Sequence, residues 1–61
     1  MVTDKELYAA TIARLLDDFG GYGTVANILN VSVGDLERWS VGKARPPAGI
    51  FFRMLHLAEG G

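Results

Sequence analysis

Four cations, Arg38, Lys43, Arg45 and Arg53, stand between positions 38 and 56 with no carboxylate among them. Side chains of this kind hold polyanions. Each ammonium or guanidinium releases counterions condensed on phosphate, and an arginine fork also pairs with guanine in the major groove, which makes Arg38 the candidate reader of a base edge. Tyr22 and Ser32 add hydroxyls that donate to phosphate. Asp35 and Glu37 flank Arg38 and either accept from cytosine or repel the backbone. Other chemistry finds little footing. There is no nucleophile–base pair, no carboxylate pair at a useful spacing and a single histidine, His56, so no catalytic residue is expected and the chain reads as a non-enzyme. The absence of cysteine excludes disulfides and thiolate-bound zinc and is compatible with a reducing cytoplasm. Asp17 and Asp18 point about 100° apart on a helix and make no metal site. Gly20-Gly21-Tyr22-Gly23 lacks both the Gly-Lys-Ser/Thr ending and the preceding strand of a nucleotide loop. No metal, cofactor or small-molecule ligand is therefore expected.

These side chains need a scaffold, and residues 22–41 supply its plan: two short helices around a tight turn, followed by the basic loop Gly42-Lys43-Ala44-Arg45-Pro46-Pro47. The first helix, expected to begin at Gly23-Thr24, carries Val25, Ala26 and Leu29. Ala26 is small enough for a second helix to cross close by, and Leu36 and Trp39 on that second helix fill the angle. Asn30-Val31-Ser32 forms the turn. Asparagine tolerates the left-handed backbone that ends a helix, Val31 plugs the elbow, and Ser32 caps the next helix with Asp35 three residues on.

The pattern Thr24-Val25-Ala26, Leu29-Asn30-Val31-Ser32, Leu36, Trp39, Gly42-Lys43, Arg45-Pro46 resembles the phage repressor/Cro-type (XRE-like) helix-turn-helix family over roughly the middle half of the chain. Ala26 matches the family's small-residue position, Val31 its turn hydrophobe, Leu36 and Trp39 its recognition-helix core positions, and Gly42-Lys43 the Gly-Lys that follows; Asn30 replaces the usual turn glycine. The resemblance implies a lambda-repressor-like fold and a DNA-binding transcriptional regulator acting on double-stranded DNA, often as a dimeric repressor. It places the helix around 33–40 in the major groove. The implied DNA-facing residues are Tyr22, Gly23, Thr24, Ser32, Val33, Gly34, Glu37, Arg38, Lys43 and Arg45. Backbone N–H groups at Gly23, Thr24 and Val25 would brace on phosphate, and Lys43 and Arg45 would hold the backbone from the loop. Val33 and Gly34, at the start of the reading helix, bring no hydrogen-bonding side chain, which implies modest specificity.

The remaining elements complete an all-α bundle of four, at most five, helices in one domain spanning residues 1–61. Thr3-Asp4-Lys5-Glu6 has capping-box spacing. Tyr8, Ile12, Leu15, Leu16 and Phe19 then recur on one helical face until Gly20-Gly21 stops the run. Pro46-Pro47 favours an extended entry and a last helix starting near Pro47 and ending at Gly60-Gly61. The expected core is Ile12, Leu15, Leu16, Phe19, Val25, Ala26, Leu29, Val31, Leu36, Trp39, Phe51 and Leu55, with Trp39 as keystone between the helix-turn-helix pair and the last helix. On that last helix Leu57, Ile50, Met54, Ala58, Phe51 and Leu55 form an arc that Phe52 widens to roughly 220°, about twice what one core-facing helix needs. Phe52 is thus either a homodimer contact or a lone exposed hydrophobe.

Met1-Val2-Thr3-Asp4 lacks the charged-then-apolar order of a secretory signal, and Ile50-Phe51-Phe52 is far too short for a membrane span, so a cytoplasmic location and no membrane partner are expected. The formal net charge is −1. It divides unevenly: Asp4, Glu6, Asp17 and Asp18 outnumber Lys5 and Arg14 before position 22, whereas cations outnumber carboxylates beyond it. Charge alone fits a small cationic edge on an acidic molecule as well as an ordinary solvated surface. A protein-interaction domain that keeps the fold without binding DNA is therefore the alternative, favoured by the acidic pI.

Overall fold

A computed structural model describes residues 3–60 as four α-helices: α1 (Asp4–Phe19), α2 (Tyr22–Leu29), α3 (Val33–Ser40) and α4 (Ala48–Ala58). No strand and no fifth helix occurs among the described residues. Met1, Val2 and Gly61 lie outside them, and with them parts of the expected acidic start and of the Gly60-Gly61 stop.

Local signals account for the helix ends. Thr3 Oγ1 accepts from the Glu6 N–H while Glu6 Oε2 accepts from the Thr3 N–H, both at 3.2 Å, so two orphan donors of α1 are satisfied reciprocally. Gly20, left-handed at φ 96°, ends α1 and returns its N–H to the Leu16 carbonyl at 2.9 Å. One boundary differs from the sequence expectation. α2 begins at Tyr22, one residue early, because Gly21 at φ 136° already turns the chain. α4 begins at Ala48 with Pro47 as its N-cap, extended at ψ 148°.

α1 is the hub. It packs most extensively on α3 and α4, while α2 rests on α3, α1 and, less, α4. The core comprises Ile12, Leu15, Val25, Ala26, Leu29, Leu36, Trp39 and Met54. Each of its larger aliphatic members contributes about 1.5–3 kcal/mol by burial. Leu16, Val31 and Phe51 are half-buried against this cluster, and Leu55 is half-buried. Tyr8 meets Phe51 edge-on, ring centroids 4.9 Å apart, which joins α1 to α4.

Two expectations need correction. Phe19 is 36% exposed, because it is the last residue of α1 and the chain reverses immediately at Gly20. Met54, absent from the expected core, is fully buried. Trp39 is buried as expected, in one cluster with Met54 of α4, although among the described residues α3 makes no close backbone approach to α4.

Candidate nucleic-acid interface

The α2–α3 connection is built from one αL stop and one side-chain cap. Asn30 adopts φ 59°, ψ 46°; its N–H reaches the Asn27 carbonyl at 3.3 Å and the Val31 N–H reaches Ala26 at 2.9 Å, the paired return of a Schellman motif. Ser32 then caps α3, its Oγ accepting from the Asp35 N–H at 3.0 Å. At the far end of α3 the same device recurs: the Gly42 N–H returns to Trp39 at 3.3 Å and the Lys43 N–H to Arg38 at 2.9 Å. Gly42 has little alternative. It sits at φ 79°, and a Cβ there would lie 3.2 Å from Lys5 Cδ. Lys43 is thereby tied through its backbone to the helix that carries Arg38.

The outward stripe of α3 follows from helical spacing. Leu36 and Trp39 turn into the core, which leaves Gly34, Glu37, Arg38 and Val41 at i, i+3, i+4 and i+7 on the opposite side. With Lys43 these four line an open depression of about 320 Å³, hollow because Gly34 contributes no side chain. Val33, 39% exposed, lies at the start of the same helix. Of the expected site residues, Ser32, Val33, Gly34, Glu37, Arg38 and Lys43 thus come together on α3 and the loop just beyond it. Among the described residues Glu37 and Lys43 have no ion-pair partner, and the Ser32 hydroxyl proton is not committed by its capping role.

Other expected residues are otherwise engaged. Tyr22 hydrogen-bonds Ser40 Oγ at 3.1 Å, and Ser40 donates its own hydroxyl to the Glu37 carbonyl at 2.7 Å. Tyr22 must therefore be the donor in the first bond, so its hydroxyl proton links α2 to α3 and is not free for phosphate. At the start of α2 no side chain caps the N–H groups of Tyr22, Gly23 and Thr24, but Val25 N–H already reaches the Gly21 carbonyl at 3.1 Å, which removes it from the expected phosphate brace. Arg38 pairs with Asp35, and Arg45 Nη2 lies 3.8 Å from Asp4 Oδ2 at the start of α1. Arg53 is not part of the cationic edge. It donates from Nη2 to the Ile28 carbonyl at 3.1 Å and from Nη1 to Leu29 at 3.3 Å, closing the carboxyl-terminal end of α2 from α4. Phe52 is 67% exposed on α4, well removed in sequence from this face.

Sequence reasoning missed the Asp4–Arg45 pair and the apolar margin at Val41, which is 67% exposed. The first joins residues forty-one apart and left no periodic signal. The second was legible, because Val41 continues the Gly34, Glu37, Arg38 spacing.

No family model, no curated protein and no solved structure matches this chain. Among the described residues no helix is long and apolar enough to cross a membrane, and no group of three or more histidine, aspartate or glutamate side chains converges as a metal site would require.

Proposed function

We propose that this chain is a helix-turn-helix DNA-binding domain, a transcriptional regulator of the phage repressor/Cro type, that lays α3 in the major groove of double-stranded DNA. One observation carries the reading: the face of α3 turned away from the core is solvent-exposed and bears Arg38, with Lys43 pinned beside it by a backbone bond to the same helix. Two eight-residue helices around an Asn30–Ser32 turn supply the frame. In this docking the free N–H groups of Tyr22, Gly23 and Thr24 face phosphate across the groove edge, Ser32 donates its hydroxyl, and Lys43 neutralises a phosphate. Val33 offers a methyl-to-methyl contact with thymine. A homodimer joined through Phe52 would place two such faces on half-sites one helical turn apart.

A fluorescence-anisotropy titration of labelled random-sequence duplex at low salt tests the proposal. Binding that weakens linearly in log–log coordinates as salt rises supports it. No binding at the lowest salt overturns it.

A second reading is favoured by a specific observation. Two of the three cations on this edge, Arg38 and Arg45, carry intramolecular carboxylate partners, on a chain whose net charge is −1. A surface so neutralised suits a protein partner as well, and a domain that keeps the fold while binding protein through the Phe52 face or α1 is the alternative.

A further inference from the structure

In α1 the third helical residue, Glu6, reaches back to the Thr3 N–H and completes a capping box. The corresponding residue of α3, Asp35, does not. Ser32 accepts from the Asp35 N–H, but no return bond from the Asp35 carboxylate to the Ser32 N–H exists among the described residues; the carboxylate pairs with Arg38 Nη2 one turn further on. Aspartate is a methylene shorter than glutamate, and its carboxylate is left on the outer side of the helix. The consequence is a displacement of positive charge along α3. Arg38 belongs to the second turn, yet its guanidinium is folded back over the first: a Cβ on Gly34 would lie 3.6 Å from Arg38 Nη1. The amino-terminal end of the reading helix, where Val33 and Gly34 supply no polar group, is thus furnished with a guanidinium borrowed from four residues downstream.

We infer that Asp35 is a positioning residue that holds the Arg38 guanidinium over Gly34, so that the base read by the first turn of α3 is guanine. This rests on the DNA-binding reading above. One Nη2 hydrogen goes to Asp35, and the remaining N–H groups of Nη1 and Nη2 stay available for guanine O6 and N7. Holding a long side chain before contact removes part of the ordering cost that a free arginine meets on docking. Gly34 leaves this space open: a Cβ alone would meet Nη1 in ordinary van der Waals contact, whereas a large side chain would occupy the space over which the guanidinium lies.

Selection of bound duplexes from a pool randomised over ten base pairs, compared among the parent, Arg38→Ala, Asp35→Asn and Gly34→Leu, tests the assignment. The parent is expected to enrich guanine at one position by about tenfold. Arg38→Ala, Asp35→Asn and Gly34→Leu should each abolish that enrichment with helix content unchanged. Asp35→Asn should in addition bind all sequences somewhat more tightly, because it removes a negative charge from the face while leaving the backbone N–H that Ser32 caps. Loss of base preference together with gain of overall affinity is a signature that a structural defect does not produce. Gly34→Leu favours the helix and provides an independent arm if Asp35→Asn proves unstable. If Asp35→Asn or Gly34→Leu keeps or sharpens the guanine preference, the positioning role is overturned. A parent that binds duplex with no guanine preference overturns it while leaving the DNA reading intact. A parent that binds no duplex at low salt overturns both.

Discussion

At the residue scale Gly42 is held to its residue type by its backbone. Its left-handed backbone is what lets the Lys43 N–H return to Arg38, and the stem of Lys5 closes over the place a side chain would take. Gly42→Ala should cost about 1–2 kcal/mol from backbone conformation alone, read as a lowered urea midpoint at unchanged slope. An unaltered midpoint would show that the turn relaxes freely. Trp39→Ala is the more severe change. It removes the largest side chain of the core, and the expected loss of about 3–5 kcal/mol exhausts most of the stability of so small a domain. A variant melting within a few degrees of the parent would show that Trp39 does not hold α3 in place.

At the element scale, helix existence and type were legible because apolar periodicity and boundary residues agreed along the chain, with side-chain caps at α1 and α3. The Thr3–Glu6 box, the Asn30 stop and the Ser32 cap all appear where their residue types place them. What was not legible was the direction in which α4 faces. Seven of its residues form one broad apolar arc, and periodicity cannot say which part lies deepest; Met54, near the middle of the six-residue arc before Phe52 is added, is the fully buried one, with Ile50, Phe51, Leu57 and Ala58 packed against the core around it. The role of Arg53 was hidden for a different reason. As a charge in a sequence it reads as surface, and only tertiary structure brings it to the Ile28 and Leu29 carbonyls. It welds α4 to the end of α2. Arg53→Ala should therefore destabilise by about 1–2 kcal/mol, the scale of partly exposed charge-assisted hydrogen bonds, and speed amide exchange at the end of α2. Arg53→Lys should recover only part of this, since one ammonium does not reproduce the fork. Equal stability of parent and Arg53→Ala would reduce the contact to a surface accident.

At the scale of the whole molecule, an acidic chain presents one face on which cations gather, and most of the candidate site was visible as residue types while its electrostatics was not. The partners Asp35 and Asp4 decide how much of that charge is available, and Asp4 lies too far along the sequence to be foreseen. Lys43, without an ion-pair partner among the described residues, should dominate the salt response: Lys43→Ala is expected to flatten the log–log salt dependence of duplex binding by about one unit, and Arg45→Ala by less because Asp4 already shares its charge. Equal effects of the two would remove the significance of the Asp4 pair. On the opposite question, Phe52→Glu should leave the fold intact, and in a dimeric parent sedimentation should show monomers; a parent monomeric at high concentration leaves Phe52 without the dimer role. The central claim, that α3 and its flanking turns form a DNA-binding face, is tested most directly by following backbone amides during titration with random-sequence duplex at low salt. The DNA reading predicts that Gly23, residues 32–38 and residues 43–45 shift together while the amides around Phe52 stay in place at low occupancy. Saturating duplex that moves none of these amides would contradict it.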